Sequence, residues 1–113
     1  MLAIDPSIFR AYDIRGIVDK DFDPEWVHRL GRALGVFFQK RGRSRVVLGH
    51  DCRPTSPGYA ERMCQGLCEM GMDVILIGMV PTPLMYYAVT CLGTQAGVII
   101  TASHNPSEYN GFK

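Results

Sequence analysis

Within the last eleven residues of this sequence stand a serine, a histidine, an asparagine and a lysine. They occur in the string Thr101-Ala102-Ser103-His104-Asn105-Pro106, then Ser107-Glu108-Tyr109-Asn110-Gly111-Phe112-Lys113. A serine flanked by His104 and Asn105, in a turn closed by Pro106, presents a hydroxyl to a reacting partner. Asn110-Gly111 reads as a turn, one that brings the Lys113 ammonium back towards Ser103. Taken singly these signals are ordinary loop chemistry. A hydrolase is disfavoured: a nucleophile and its base normally come from different segments, and Gly-x-Ser-x-Gly is absent.

The elements that must hold these residues are marked by punctuation. Asp23-Pro24, Ser56-Pro57 and Thr82-Pro83 each pair a capping side chain with a proline whose missing N–H costs nothing at a first helical position. Gly42, Gly71 and Gly93 follow as helix terminators. The spacing predicts helices near 24–41, 57–70 and 83–92. Trp26, Val27, Leu30, Ala33, Leu34, Phe37 and Phe38 form the apolar stripe of the first; Ala60, Met63, Cys64, Leu67 and Met70 form that of the second. The third is apolar nearly all round, which predicts burial. Short β-branched runs at 45–49, 74–78 and 97–101 read as strands covered on both faces. The stretch Ile8 to Val18 reads as a further extended piece with a turn at Gly16. The alternation is that of a three-layer α/β/α domain with a mostly parallel or mixed sheet. In such sheets ligands collect beyond the carboxyl ends of the strands, and Ser103 follows one.

At 113 residues the chain holds one domain, 1–113. A formal net charge of +1 supplies no field that gathers nucleic acid or anionic membrane. No apolar run reaches the roughly 20 residues of a membrane span, and no secretory leader opens the chain, so cytoplasm is the expected compartment. Cys52, Cys64, Cys68 and Cys91 form no Cys-x-x-Cys pair and read as reduced thiols packed as small hydrophobes. His28, Arg29, Arg32, Gln39 and Lys40 read as the solvated face of the first helix, His50 as a loop residue, and Arg41, Arg43 and Arg45 as cations at a helix end.

Three stretches together carry more than any alone. They are Phe9-Arg10-Ala11-Tyr12-Asp13-Ile14-Arg15-Gly16, Gly49-His50-Asp51-Cys52-Arg53-Pro54-Thr55-Ser56, and the string from Thr101 to Lys113. In this order and spread over nearly the whole chain, they resemble the first domain of the α-D-phosphohexomutases. Tyr-Asp-Ile-Arg-Gly and Glu-Tyr-Asn-Gly are similar to the phosphomannomutase/phosphoglucomutase branch. Phosphoglucosamine mutases typically show Gly-Thr-Asp-Gly-Ile-Arg-Gly and Asp-Asn-Gly instead.

The resemblance implies interconversion of hexose 1-phosphate and hexose 6-phosphate, with Ser103 phosphorylated and a hexose 1,6-bisphosphate as intermediate and activator. It implies that Arg15 forks phosphate oxygens and that Lys113 stabilises the moving charge, with a possible share in proton transfer. His104 is read either as an acid/base group or as a positioning donor. Asn105 flanks the phosphoserine. Tyr12 is read either as a site-lining residue or as a half-buried structural one. Magnesium is implied between the phosphoserine and three aspartates of an Asp-Gly-Asp-x-Asp loop. That loop is not in this sequence, which leaves Ser103, through its phosphate, as the one ligand that can be named. The resemblance also implies that the family's first domain continues beyond Lys113. The rival expectation is therefore a truncated, non-catalytic module that binds anions or self-associates through an unfinished sheet.

Overall fold

A computed structural model describes residues 2–113. The elements, in order, are β1 (Ile14–Ile17), α1 (Pro24–Lys40), β2 (Arg45–His50), α2 (Ser56–Glu69), β3 (Asp73–Met79), α3 (Thr82–Leu92), β4 (Gly97–Ile100) and β5 (Tyr109–Phe112). The five strands form one mixed sheet in the order β1-β5-β4-β2-β3. β2 pairs parallel with β3 and β4, whereas β5 runs antiparallel to both β4 and β1.

The path from β2 out to β3 and back past β2 to β4 reverses direction. Two crossovers of one hand must therefore place their helices on opposite faces. They do: Val46, Leu48, Val98, Ile100 and Phe112 pack under α1 and α2 with Trp26, Val27, Met63 and Leu67, while Val47 and Ile99 pack under α3 with Met85. This is the expected three-layer α/β/α architecture.

The three predicted helices and three predicted strands are present within two residues of the expected bounds. Gly42, Gly71 and Gly93 all have positive φ just past their helices. Capping differs. Asp23 accepts from the Trp26 N–H at 2.7 Å, as its position predicts. The caps of α2 and α3 are Thr55 and Pro81, with no side-chain capping bond. Ser56 and Thr82 lie one residue inside, and the Ser56 hydroxyl is taken by Asp51 instead.

Other expectations are corrected. Pro6–Ile8 is a 3-10 turn, and only Ile14–Ile17 of the N-terminal stretch is a strand, with Gly16 inside it. On α1, Ala33 and Phe37 face solvent, and Gly31 and Gly35 take their places against α2. Phe37 carries the Arg41 guanidinium over its ring. His28 is not solvated but bonds Glu69 of α2 at 2.9 Å, and His50 ends β2 rather than lying in a loop. Cys52, Cys68 and Cys91 are exposed, and only Cys64 is partly packed. α3 buries Met85 alone. Its Tyr86 and Tyr87 are exposed, and so are Leu76 and Met79 of the edge strand β3, which is therefore not covered on both faces as expected. No helix among the described residues is long and apolar enough to cross a membrane.

Candidate active site

Ser103 lies just beyond the carboxyl end of β4, exposed, with φ at +56°. A non-glycine residue in the left-handed region is held there by its surroundings. The Ser103 N–H donates to the Thr101 hydroxyl at 3.0 Å and the Asn105 N–H to the Ala102 carbonyl at 3.1 Å.

The main restraint is Arg53, which follows the end of β2. Its Nη1 donates to the carbonyls of Pro106 (2.8 Å) and Tyr109 (3.1 Å), and its Nη2 to those of Ser103 (3.1 Å) and Asn105 (2.8 Å). Its Nε donates to Asp51 Oδ2 at 3.2 Å. A guanidinium has five N–H donors, and all five are used. Asp51 is fixed in turn by the Arg53 N–H and the Ser56 hydroxyl. Sequence reasoning placed Arg53 in a motif but gave it no role. The available signal was an arginine two residues after an acid at a strand's carboxyl end, where side chains reach across to the neighbouring strand's loop.

Burial pushes the Asp51 carboxyl up. Hydrogen bonds from the Ser56 hydroxyl, the Arg53 N–H and the Thr101 hydroxyl, with the Arg53 charge, outweigh that and hold it below its usual 3.8. Stability from ionised Asp51 is therefore complete above 3.8 and is lost as pH falls through the lower folded value. Asp51→Asn is expected to lower the thermal midpoint at neutral pH, and the gap to wild type to close only below about pH 4. A gap that is constant down to acid pH would contradict this.

Arg15 converges on the same loop from β1. Its Nη1 donates to Asn105 Oδ1 across 90 residues of sequence, while Nε and Nη2 donate to Asp13 Oδ2. Three of five donors are thus taken, and one N–H on each terminal nitrogen remains for phosphate oxygens. Arg15 lies opposite Gly111 on β5, and Gly111 is level with Thr101, just past β4, through the Thr101 N–H to Gly111 carbonyl bond at 2.9 Å.

Asn110-Gly111 is not a turn; both residues belong to β5. Asn110 is fully buried, and its amide donates to the hydroxyls of Thr55 (2.8 Å) and Ser56 (3.0 Å). Those bonds fix β5 to α2, so tertiary contacts override the local turn preference. The reversal instead falls in the Ser103 loop. Lys113 therefore reaches its place along a strand, exchanging both backbone bonds with Ile99 at 2.8 and 2.9 Å. By alternation it shares the α3-side face of the sheet with Arg15. Its side chain makes no ion pair among the described residues.

His104 is exposed beside Ser103. Tyr12 is 94% exposed, so the half-buried structural reading does not hold. Among the described residues no three His, Cys, Asp or Glu side chains are grouped to hold a metal ion. The donor set of this chain does not by itself fit a magnesium cage.

Comparison with known proteins agrees with this geometry. The family model described as phosphoglucomutase/phosphomannomutase, alpha/beta/alpha domain I, matches residues 6–113. A phosphomannomutase/phosphoglucomutase of Pseudomonas putida is 46% identical over 98% of this chain and 24% of its own length. A protein of Methanobrevibacter smithii named probable phosphoglucosamine mutase is 46% identical over 95% of this chain and 24% of its own. The crystal structure of a phosphoglucomutase/phosphomannomutase family protein from Burkholderia thailandensis superposes with a TM-score of 0.89 at 39% identity, covering 98% of this chain and 26% of that one. The chain thus spans about a quarter of the length of these relatives. A match to domain I over nearly all of its residues, with the same fold at 39% identity, means that this chain belongs to the phosphoglucomutase/phosphomannomutase family.

Proposed function

We propose that Ser103 is the phosphoryl carrier of a mutase interconverting hexose 1-phosphates and hexose 6-phosphates. The observation that carries this reading is an exposed serine hydroxyl on a loop immobilised by a saturated guanidinium, with Arg15 docked on the same loop. Phosphoryl transfer depends mostly on positioning and electrostatics, so a rigid carrier beside cations is what the reaction requires. Phospho-Ser103 gives its group to the free hydroxyl of a hexose monophosphate. The bisphosphate formed then returns its other phosphoryl group to Ser103.

In this scheme the two free N–H groups of Arg15 grip phosphate oxygens, and Lys113 opposes the charge on the transferring group. Asn105 holds Arg15 in register, His104 serves as an acid/base group or positioning donor, and Tyr12 lines the entrance. A bound magnesium ion would neutralise phosphoryl charge. From these residues it would take only the oxygen of phospho-Ser103, and no step is assigned through it. Tyr12-Asp13-Ile14-Arg15-Gly16 and Glu108-Tyr109-Asn110-Gly111 favour glucose and mannose phosphates over glucosamine phosphate, in a soluble cytoplasmic enzyme. The exposed apolar residues of β3 and α3 favour a second property, self-association of the isolated chain.

The test is transfer itself. Full-length protein incubated with hexose 1,6-bisphosphate labelled on phosphorus should acquire one label per chain, on the peptide containing Ser103. That label should then pass to added unlabelled glucose or mannose monophosphate. Label on another residue, or label on Ser103 that cannot be chased onto sugar, would sink the assignment.

A further inference from the structure

The Arg53 guanidinium has no N–H left for substrate, so it is not a phosphate-binding group. Four peptide carbonyls, those of Ser103, Asn105, Pro106 and Tyr109, are drawn to one cation. Every peptide bond here is trans. In a trans peptide the N–H points opposite to the C=O. Drawing a carbonyl inward therefore turns the next residue's N–H outward. Pro106 follows Asn105 and has no N–H, Asn110, which follows Tyr109, sits in the strand ladder, and Ser107, which follows Pro106, lies four residues along the chain from the Ser103 hydroxyl. The peptide after Ser103 differs. Its N–H belongs to His104, adjoins the exposed Ser103 hydroxyl and has no partner among the described residues.

We propose that Arg53 is the positioning residue of the phosphoryl carrier, and that by holding the Ser103 carbonyl it aims the His104 backbone N–H at the phosphoryl group carried on Ser103. This rests on the phosphoserine reading above and adds a fixed donor to it. Donors already in place where charge develops cost no reorganisation during transfer. Lysine cannot substitute, because its three donors radiate from one point and cannot reach four carbonyls and a carboxylate in a plane. The Asp51 carboxylate, set by Ser56, fixes the fork from behind.

The experiment uses the full-length protein. Arg53→Lys is expected to lower kcat by about 100-fold, the scale of one lost transition-state donor, with KM for hexose phosphate within about threefold. A purely structural role would not create a bond from the His104 amide to the phosphate. In the wild type the His104 amide proton should move downfield on phosphorylation of Ser103, and Arg53→Lys should abolish that shift. Unchanged kcat and an undiminished shift in Arg53→Lys would overturn the proposal. Should that variant not fold, the wild type decides: no downfield shift there overturns the proposal equally. An active Ser103→Ala variant would refute the phosphoserine reading itself, a separate outcome.

Discussion

Ser103→Ala in the full-length protein is expected to reduce hexose phosphate interconversion by at least about 10,000-fold, on the scale of losing a covalent carrier. The fold should be indifferent to the change. Ser103 is exposed and contributes to its loop through its backbone, with the N–H bonded to Thr101 and the carbonyl to Arg53. The φ of +56° strains alanine about as much as serine. A coupled mutase assay with Mg²⁺ and catalytic hexose 1,6-bisphosphate, run beside a thermal melt, checks both halves. Turnover near wild type would show that the phosphoryl group travels by another route. The isolated chain of 113 residues should show none in the same assay. It holds the carrier and two cations, but no metal-ligating cluster among its described residues. Losing positioned electrostatics of that kind removes several powers of ten in rate, since little covalent assistance remains. Robust turnover by the chain alone would show that domain I suffices.

The legible part of this molecule was whatever local chemistry dictates. Asp23-Pro24 starts α1 because a carboxylate caps the Trp26 N–H, and Gly93 ends α3 because it takes φ at +65°. The runs of β2 and β4 are covered on both faces, as their apolar residues predict, whereas β3 at the edge leaves Leu76 and Met79 exposed. The Ser103 loop was legible from its string, as was the meeting of Arg15 with that loop, through resemblance and then geometry. What sequence reading missed depends on contacts distant in the chain. Asn110-Gly111 favours a turn locally, yet Thr55 and Ser56 hold it in β5. Ser56 looked like a helix cap, but Asp51 claims its hydroxyl. Arg53 stood in a motif without a role, and only the backbone path of 103–109 shows that four carbonyls converge on it. α3 looked buried because its residues are apolar, but only Met85 finds a core to enter.

Gly111→Ala is expected to be the most damaging single-methyl change in the sheet. A Cβ at this position would stand 2.4 Å from the Ile14 carbonyl oxygen, 2.9 Å from the Thr101 carbonyl oxygen and 3.4 Å from the Arg15 Cα. Nothing there yields cheaply, since all three atoms are backbone, two on β1 and one at the end of β4. Relief requires β5 to move off its neighbours. We expect a loss of about 3 kcal/mol, the upper end of overpacking costs, seen as a fall of several degrees in the thermal midpoint. The site should suffer beyond that loss. Gly111 separates Arg15 from Thr101 at one level of the sheet, so the displacement pulls Arg15 away from Asn105 and shifts Lys113 two residues along. Activity should therefore fall even at temperatures where the variant stays folded. Gly58→Ala is the matched control: a Cβ there meets nothing within 4 Å, and the position lies in α2. Alanine at a helical glycine should raise stability by about 1 kcal/mol and leave turnover unchanged. Equal melting behaviour of the two variants would mean that β5 has slack the close packing at Gly111 does not reveal.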